Sequence, residues 1–269
     1  MNWVGRLIYR KYTRGSMLIQ SHYTKFLRNP PLLEVLADSM SAIPQGSVVK
    51  LSSIGCSTGA ELYSALYVLR EARPDLRILA CGADISAAAV EVAKKGIYRS
   101  DIPAVQDSLY EAGRPEVTKE EIEVLGGILQ RQPNGMFLVR DRLREGIRWI
   151  VADACDGQLT EELGPQDVVM ANNVLGAMPD AVAEECLRNI MGMVRPGGYL
   201  VVEGIDLDLK TDILKDSGFL PVLDRMDEIW RADTSKRGWP WFRWGLEPVD
   251  RNLPGWELRY SVIFRRSGP

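Results

Sequence analysis

The chain has 269 residues, 46% of them hydrophobic and 26% charged, and a net charge of −3. This is enough for one large domain or two small ones, and the mild acidity argues against a general nucleic-acid binder. No apolar run approaches the ~18 residues of a membrane span, and the basic N-terminus has no apolar core followed by a small-residue cleavage site, so neither membrane insertion nor a signal peptide is expected.

Six basic residues (Arg6, Arg10, Lys11, Arg14, Lys25 and Arg28) precede the first acid, Glu34. They form either an anion-facing arm or a solvated helix face. Asn29-Pro30-Pro31 reads as a helix start, with Asn as cap and Pro in the first turn, and Leu32, Leu33, Leu36 and Met40 follow at helical spacing. Residues 1–45 are therefore read as an N-terminal helical segment packed on a core domain of residues 46–269. From Val48 strands and helices alternate. Strands are predicted at 48–54, 77–83, 147–152, 167–171 and 199–203. Helices are predicted from Gly59 to Arg70, from the Ser86 cap to Gly96, and from Pro179 onward. Repeated strand–helix units imply an α/β fold with a mostly parallel sheet and helices on both faces.

Two segments break this rhythm. Residues 97–146 read as an insertion with a capping box, Thr118 with Glu121, opening a helix to about Gln132. Residues 225–256 hold Trp230, Trp239, Trp241, Trp244 and Trp256, five of the seven tryptophans, interleaved with Pro and Gly, which suits a structured loop or lid. Trp256 to Arg265 alternates like a strand and pairs, in this reading, with 218–223 at an antiparallel sheet edge. The four cysteines, Cys56, Cys81, Cys155 and Cys186, stand apart with no CxxC pair, and His22 is the lone histidine. No metal site is expected, and free thiols in a reducing cytosol are the plain reading.

The chemistry concentrates at predicted C-terminal strand ends. Ser53-Ile54-Gly55-Cys56-Ser57-Thr58-Gly59-Ala60-Glu61 joins the first strand to the first helix through small residues, which lets backbone approach a ligand. Neither GxGxxG nor GxxxxGK[ST] is present, and Glu61 stands in the first helical turn where a phosphate site would want a cation. A carboxylate there suits an ammonium. Asp84 ends the second strand, placed to accept both hydroxyls of a ribose or to cap the next helix. Asp153 follows the third strand and either accepts an adenine amine or is an exposed acid. Asn172 and Asn173 end the fourth, as ligand groups or as a turn. A nucleoside joined to an amino acid satisfies this set: S-adenosyl-L-methionine, with S-adenosyl-L-homocysteine as product.

Gly55 to Ser64 resembles the glycine motif of CheR-type chemotaxis-receptor methyltransferases. Thr24-Lys25-Phe26-Leu27-Arg28-Asn29-Pro30 is similar to that family's N-terminal motif. Ala83-Asp84-Ile85-Ser86 with Gly96-Ile97-Tyr98, Asn173-Val174-Leu175, and Pro196-Gly197-Gly198 follow in family order. The resemblance spans roughly residues 22 to 205. It implies a class I methyltransferase fold, bacterial in type, and a cofactor surrounded by Thr24, Arg28, Cys56, Glu61, Asp84, Ile85, Asp153, Ala154 and Asn173; Gly55, Ser57 and Asn172, read from the strand ends above, complete the expected cofactor site, and a cytoplasmic setting is expected. The family methylates glutamate side chains of membrane receptors. Three departures stand out: Gly176, Ala177 and Met178 replace an aromatic pair, Ala60 replaces the first of two glutamates, and only about 20 residues precede Thr24 where the family has a helical domain.

The cofactor half is thus kept and the acceptor half rebuilt. A small-molecule acceptor, methylated on O or N, is expected. The alternatives are a protein glutamate acceptor and a non-catalytic cofactor-binding regulator. Arg28, His22 and Tyr23 are the candidate catalytic residues. Arg28 orients an anionic acceptor or meets the cofactor carboxylate, and His22 or Tyr23 serves as a base for a hydroxyl or amine. The tryptophans wall a substrate pocket, pack the terminal hairpin, or form a partner interface.

Overall fold

The computed structural model describes residues 24–99, 125–232 and 249–268. They fall into two units, one within Ile19–Asp153 and one within Ala154–Pro269. His22, Tyr23 and the Thr118–Glu121 capping box lie outside the described residues, as do Trp239, Pro240, Trp241, Phe242 and Trp244.

The first unit begins with helix α1 (Pro30–Asp38). The Asn29 side chain accepts the Leu32 N–H at 3.4 Å, as the Asn-Pro-Pro start predicts. Strand β1 (Val48–Ile54) leads through the glycine turn into helix α2 (Ala60–Ala72), and β2 (Arg77–Asp84) into α3 (Ala87–Lys95). Ser86 caps α3 by accepting the Ala89 N–H at 3.3 Å, and Gly96 ends it in the left-handed region at φ +62°.

The insertion differs from its reading. It holds an antiparallel sheet of β3 (Ile97–Tyr98), β4 (Leu129–Arg131) and β5 (Phe137–Val139). The helix expected to reach Gln132 does not: Leu125–Gly127 is a 3-10 turn, and Gln132 already belongs to a hairpin. Two glycines, Gly126 and Gly127, disfavour helix. Asn134-Gly135 supplies the turn, with Gly135 at φ +82° and the Gln132 N–H donating to Met136 O at 2.8 Å. After α4 (Asp141–Arg144) comes β6 (Ile147–Val151), which pairs in parallel with β2, as β2 does with β1. Ile54 lies opposite Ala83, and Asp84 opposite Val151, so the C-terminal ends of all three strands share one edge.

The second unit contains α5 (Gly157–Leu163), β7 (Gln166–Asn172), α6 (Asp180–Met193), β8 (Val194–Glu203), α7 (Leu207–Leu214), β9 (Phe219–Pro221), α8 (Met226–Ala232), α9 (Trp256–Tyr260) and β10 (Ile263–Arg266). β7 and β8 are parallel, with Asn172 opposite Glu203. Gly198 lies where a Cβ would meet Asp167 O at 2.8 Å, which explains its place in Pro-Gly-Gly. β10 runs antiparallel to β8 and β9, the edge arrangement expected. Its start was misread, because Trp256–Tyr260 is a short helix. Helical spacing puts Trp256 and Tyr260 on one face, where Tyr260 is buried against Leu207 and Met226 with Trp230 packed edge-on at 5.2 Å. Trp230 and Trp256 are therefore packing residues.

Counted over both units, these seven strands are parallel within their unit except β10, and helices alternate with them. This is the α/β class expected. Among the described residues no helix is long and apolar enough to cross a membrane. A further expectation fails: Cys155 and Cys186 are joined as a disulfide. They are 31 residues apart in sequence, and folding brings their Cα atoms to 4.5 Å, so spacing gave no sign of it. Cys56 and Cys81 are buried and take no part in the disulfide.

Gly82 tests the packing behind the glycine turn. A Cβ there would stand 2.3 Å from the Trp149 ring. Gly82→Ala is expected to cost ~1–3 kcal/mol, the usual range for overpacking, read as a lower urea midpoint; an unchanged midpoint would contradict this packing.

Candidate functional site

In the first unit the glycine turn is held from below by its own backbone. Gly55 N–H and Cys56 N–H both donate to Ala83 O, at 2.8 and 3.0 Å, and Gly59 N–H donates to Cys56 O at 2.9 Å. Gly55 and Gly59 take φ of +69° and +90°, values that a side chain resists. Gly59 has a second reason: its missing Cβ leaves room for Trp149, 2.8 Å from where it would stand. The approach that glycine permits here is made partly by the protein's own indole, which the sequence reading reserved for a ligand.

Asp84 locks this turn to the end of β2. One carboxylate oxygen accepts the Ser57 N–H at 2.7 Å, and the other accepts the Ser86 N–H at 2.9 Å. Ser57 is in the left-handed region, φ +50°, and Asp84 satisfies its amide. Ser86, not Asp84, caps α3 with its side chain. Each carboxylate oxygen can accept a second hydrogen bond, so the clamp leaves capacity for ribose hydroxyls. The two uses are compatible.

The N-terminal motif packs onto α2. The Leu27 N–H donates to Ser64 Oγ at 2.9 Å. Arg28 Nη1 donates to Glu61 Oε1 at 3.1 Å, with side-chain exposures of 8% and 14%. The sequence assigned these residues separate roles; the fold brings them together as one shielded cation–anion pair. Tyr98, from the Gly-Ile-Tyr motif, donates its hydroxyl to Thr58 O at 2.6 Å and meets Phe26 edge-on at 5.0 Å. One side chain thus ties the insertion, the glycine turn and the N-terminal motif. Thr24 is buried, Ile85 is 52% exposed, and Asp153 is exposed just beyond β6.

Burial, reinforced by the nearby Asp84 charge, pushes the Cys56 thiol well above its ordinary value. It stays protonated, and the thiol donates to Ser57 O with the sulfur 3.7 Å away. A buried thiol of this kind is a small packing residue rather than a nucleophile. Burial likewise raises the Tyr63 phenol, whose hydroxyl donates to Ala93 O at 2.7 Å, so it is no base.

In the second unit Asn172 and Asn173 end β7. The Asn173 N–H donates to Glu203 O at 2.8 Å, and its own φ is +58°. Gly204 is required beside it, since a Cβ would meet Asn173 Oδ1 at 2.6 Å. Asn172 Oδ1 is buried and accepts no hydrogen bond among the described residues. Such an orphan acceptor calls for a donor beyond the described residues, water or a ligand included. Ala154 is buried at the start of this unit.

The donor set fits S-adenosylmethionine. Arg28 and Glu61 match an amino acid's carboxylate and ammonium, Asp84 matches a ribose, and Ile85 offers an apolar surface to a base. Residues 22–206 match the family model described as CheR methyltransferase, SAM binding domain. The chain belongs to the CheR methyltransferase family. A relative, chemotaxis protein methyltransferase 2 of Vibrio cholerae serotype O1, is 22% identical over 174 residues, covering 63% of this chain. The chain spans about half of that relative's length (55%). Among solved structures, the CurJ carbon methyltransferase is similar with a TM-score of 0.46 and 13% identity, covering 88% of this chain and 53% of that one. Magnesium protoporphyrin IX methyltransferase from Synechocystis PCC 6803, with SAM bound, has a TM-score of 0.40 and 15% identity, covering 82% and 83%.

Tyr98 and Trp149 are the supporting residues that reading from chemistry alone missed. Tyr98 was visible as part of a motif, whereas nothing in Arg148-Trp149-Ile150 announced a partner for two glycines. Asp84→Ala removes the acceptor of two backbone amides at once. It is expected to destabilise the protein by ~1–3 kcal/mol per amide left unmatched, read as a lower denaturation midpoint without ligand; a wild-type midpoint would mean the clamp is dispensable.

Proposed function

We propose that this protein is an S-adenosylmethionine-dependent methyltransferase acting by direct in-line transfer. The observation that carries the reading is the shielded Arg28–Glu61 pair beside the Asp84-clamped turn. In this reading Glu61 receives the cofactor's ammonium, Arg28 its carboxylate or an anionic acceptor, Asp84 the ribose and Asp153 the adenine amine. Thr24, Gly55, Cys56, Ser57, Ile85 and Ala154 line the cofactor, and Asn172 and Asn173 offer it their amides. The bound sulfonium supplies the electrophilic methyl. The chain's own task is to orient an acceptor toward that carbon and exclude water. His22 and Tyr23, just before the buried Thr24, are proposed as bases for a neutral acceptor.

The proposed acceptor is a small molecule. The loss of the aromatic pair at 176–178 and the tryptophan-rich tail, unlike the family's, support it. Protein glutamate is the second reading, favoured by the chemotaxis relative. A carboxylate acceptor is already ionised and needs no base. The proposed setting is cytoplasmic.

Labelled cofactor, incubated with receptor cytoplasmic fragments in one arm and with pools of small hydroxy, amino and carboxylic compounds in the other, decides between them. Label in the small-molecule arm alone is expected. Base-labile label on the fragments would overturn the small-molecule assignment, and cofactor binding with label in neither arm would favour the regulator. Glu61→Gln keeps the shape and a hydrogen bond to Arg28 but removes the charge. It is expected to weaken S-adenosylhomocysteine binding by ~1.5–3 kcal/mol, measured by calorimetry; unchanged affinity would contradict the ammonium assignment.

A further inference from the structure

The disulfide lies in the stretch that follows the proposed adenine ligand. Cys155 is two residues beyond Asp153, and Cys186 is on α6. The intervening stretch is pinned from both ends. Before it, the Ala152 N–H donates to Asp84 O at 3.0 Å. After it, Cys155 is bonded to Cys186, and Asn189 Nδ2 donates to Cys155 O at 2.9 Å. Asp153 and Ala154 sit between those anchors. The loop closed by the cross-link also contains all of β7, with Asn172 and Asn173 at its end.

A permanent staple is at odds with the proposed cytoplasmic setting, where disulfides of most proteins are transient and serve catalysis or sensing. The two sulfurs also differ in access. Cys155 is half-buried and Cys186 is fully buried. Exchange thus has one open side.

We propose that Cys155 and Cys186 form a thiol–disulfide exchange site that sets how tightly the Asp153–Ala154 segment grips the cofactor, a proposal that rests on the methyltransferase reading. In the oxidising direction two cysteine thiols give two protons and two electrons to a small-molecule disulfide, which leaves as two thiols. In the reducing direction a dithiol's thiolate attacks Cys155 Sγ and Cys186 departs as a thiolate, which takes a proton. The reductant's second thiol then attacks the mixed disulfide, releases Cys155 and leaves as a cyclic disulfide. The reduced form keeps the Asn189 hydrogen bond but loses the covalent anchor, so binding must order the segment as well as fill it.

The test uses the full chain equilibrated with oxidised glutathione or with dithiothreitol. Thiols are counted by maleimide mass-labelling after unfolding, and S-adenosylhomocysteine affinity is measured by calorimetry on the same samples. The expected counts are two thiols oxidised, Cys56 and Cys81, and four reduced. Reduction is expected to weaken binding about three- to tenfold, the cost of ordering a few groups. Cys155→Ser, at the more accessible position, is expected to show the reduced affinity under both conditions, with Cys186→Ser as a second check. A count of four in both states, or equal affinity despite a changing count, would overturn the proposal. A changing count with no binding in either state would instead bring down the methyltransferase reading, and the adenine claim with it.

Discussion

A single carboxylate, Asp84 at the end of β2, holds both the turn that follows β1 and the cap of α3. Its oxygens take the Ser57 and Ser86 amides, each within 3 Å, and Ser57 adopts a left-handed conformation that needs such support. The Ala83 carbonyl next to it receives two more amides from the turn. Everything proposed for the cofactor depends on this geometry. With the turn fixed, Glu61 emerges from the first turn of α2 where it meets Arg28, and the β2 end carries Ile85 outward.

The Arg28–Glu61 pair is a second constraint of a different kind. Two shielded charges are costly to desolvate, and such a pair adds little net stability compared with apolar residues of the same size. In the proposed function that cost is offset by what the pair offers a ligand of matching opposite charges. Asn172 makes the same point in neutral form: a buried acceptor with no donor among the described residues is an expense that binding can recover. The Cys155–Cys186 link adds a covalent influence on the segment that follows Asp153.

Much of this was legible in the sequence because it was written in short-range chemistry. Asn29-Pro30, Ser86 and Gly96 marked helix ends that the structure reproduces, and the small-residue stretch from Ser53 to Ala60 marked the strand–turn–helix unit. What escaped notice depends on contacts between distant residues. Cys155 and Cys186 have no spacing that betrays them, and Trp149 answers to Gly59 and Gly82 only once β6 lies beside β2. The Trp256–Tyr260 helix is a contest between alternation and packing, decided by the place Tyr260 finds against Leu207 and Met226. The Asn134-Gly135 hairpin was a local signal overlooked beside a stronger-looking capping box.

The most direct measurement is a crystal structure of the full chain with S-adenosylhomocysteine bound. The ribose hydroxyls should donate to Asp84 while it still holds Ser57 and Ser86, and the ligand's amino group should lie on Glu61. A ligand bound elsewhere, or seated with Asp84 touching only its two amides, would contradict the central claim.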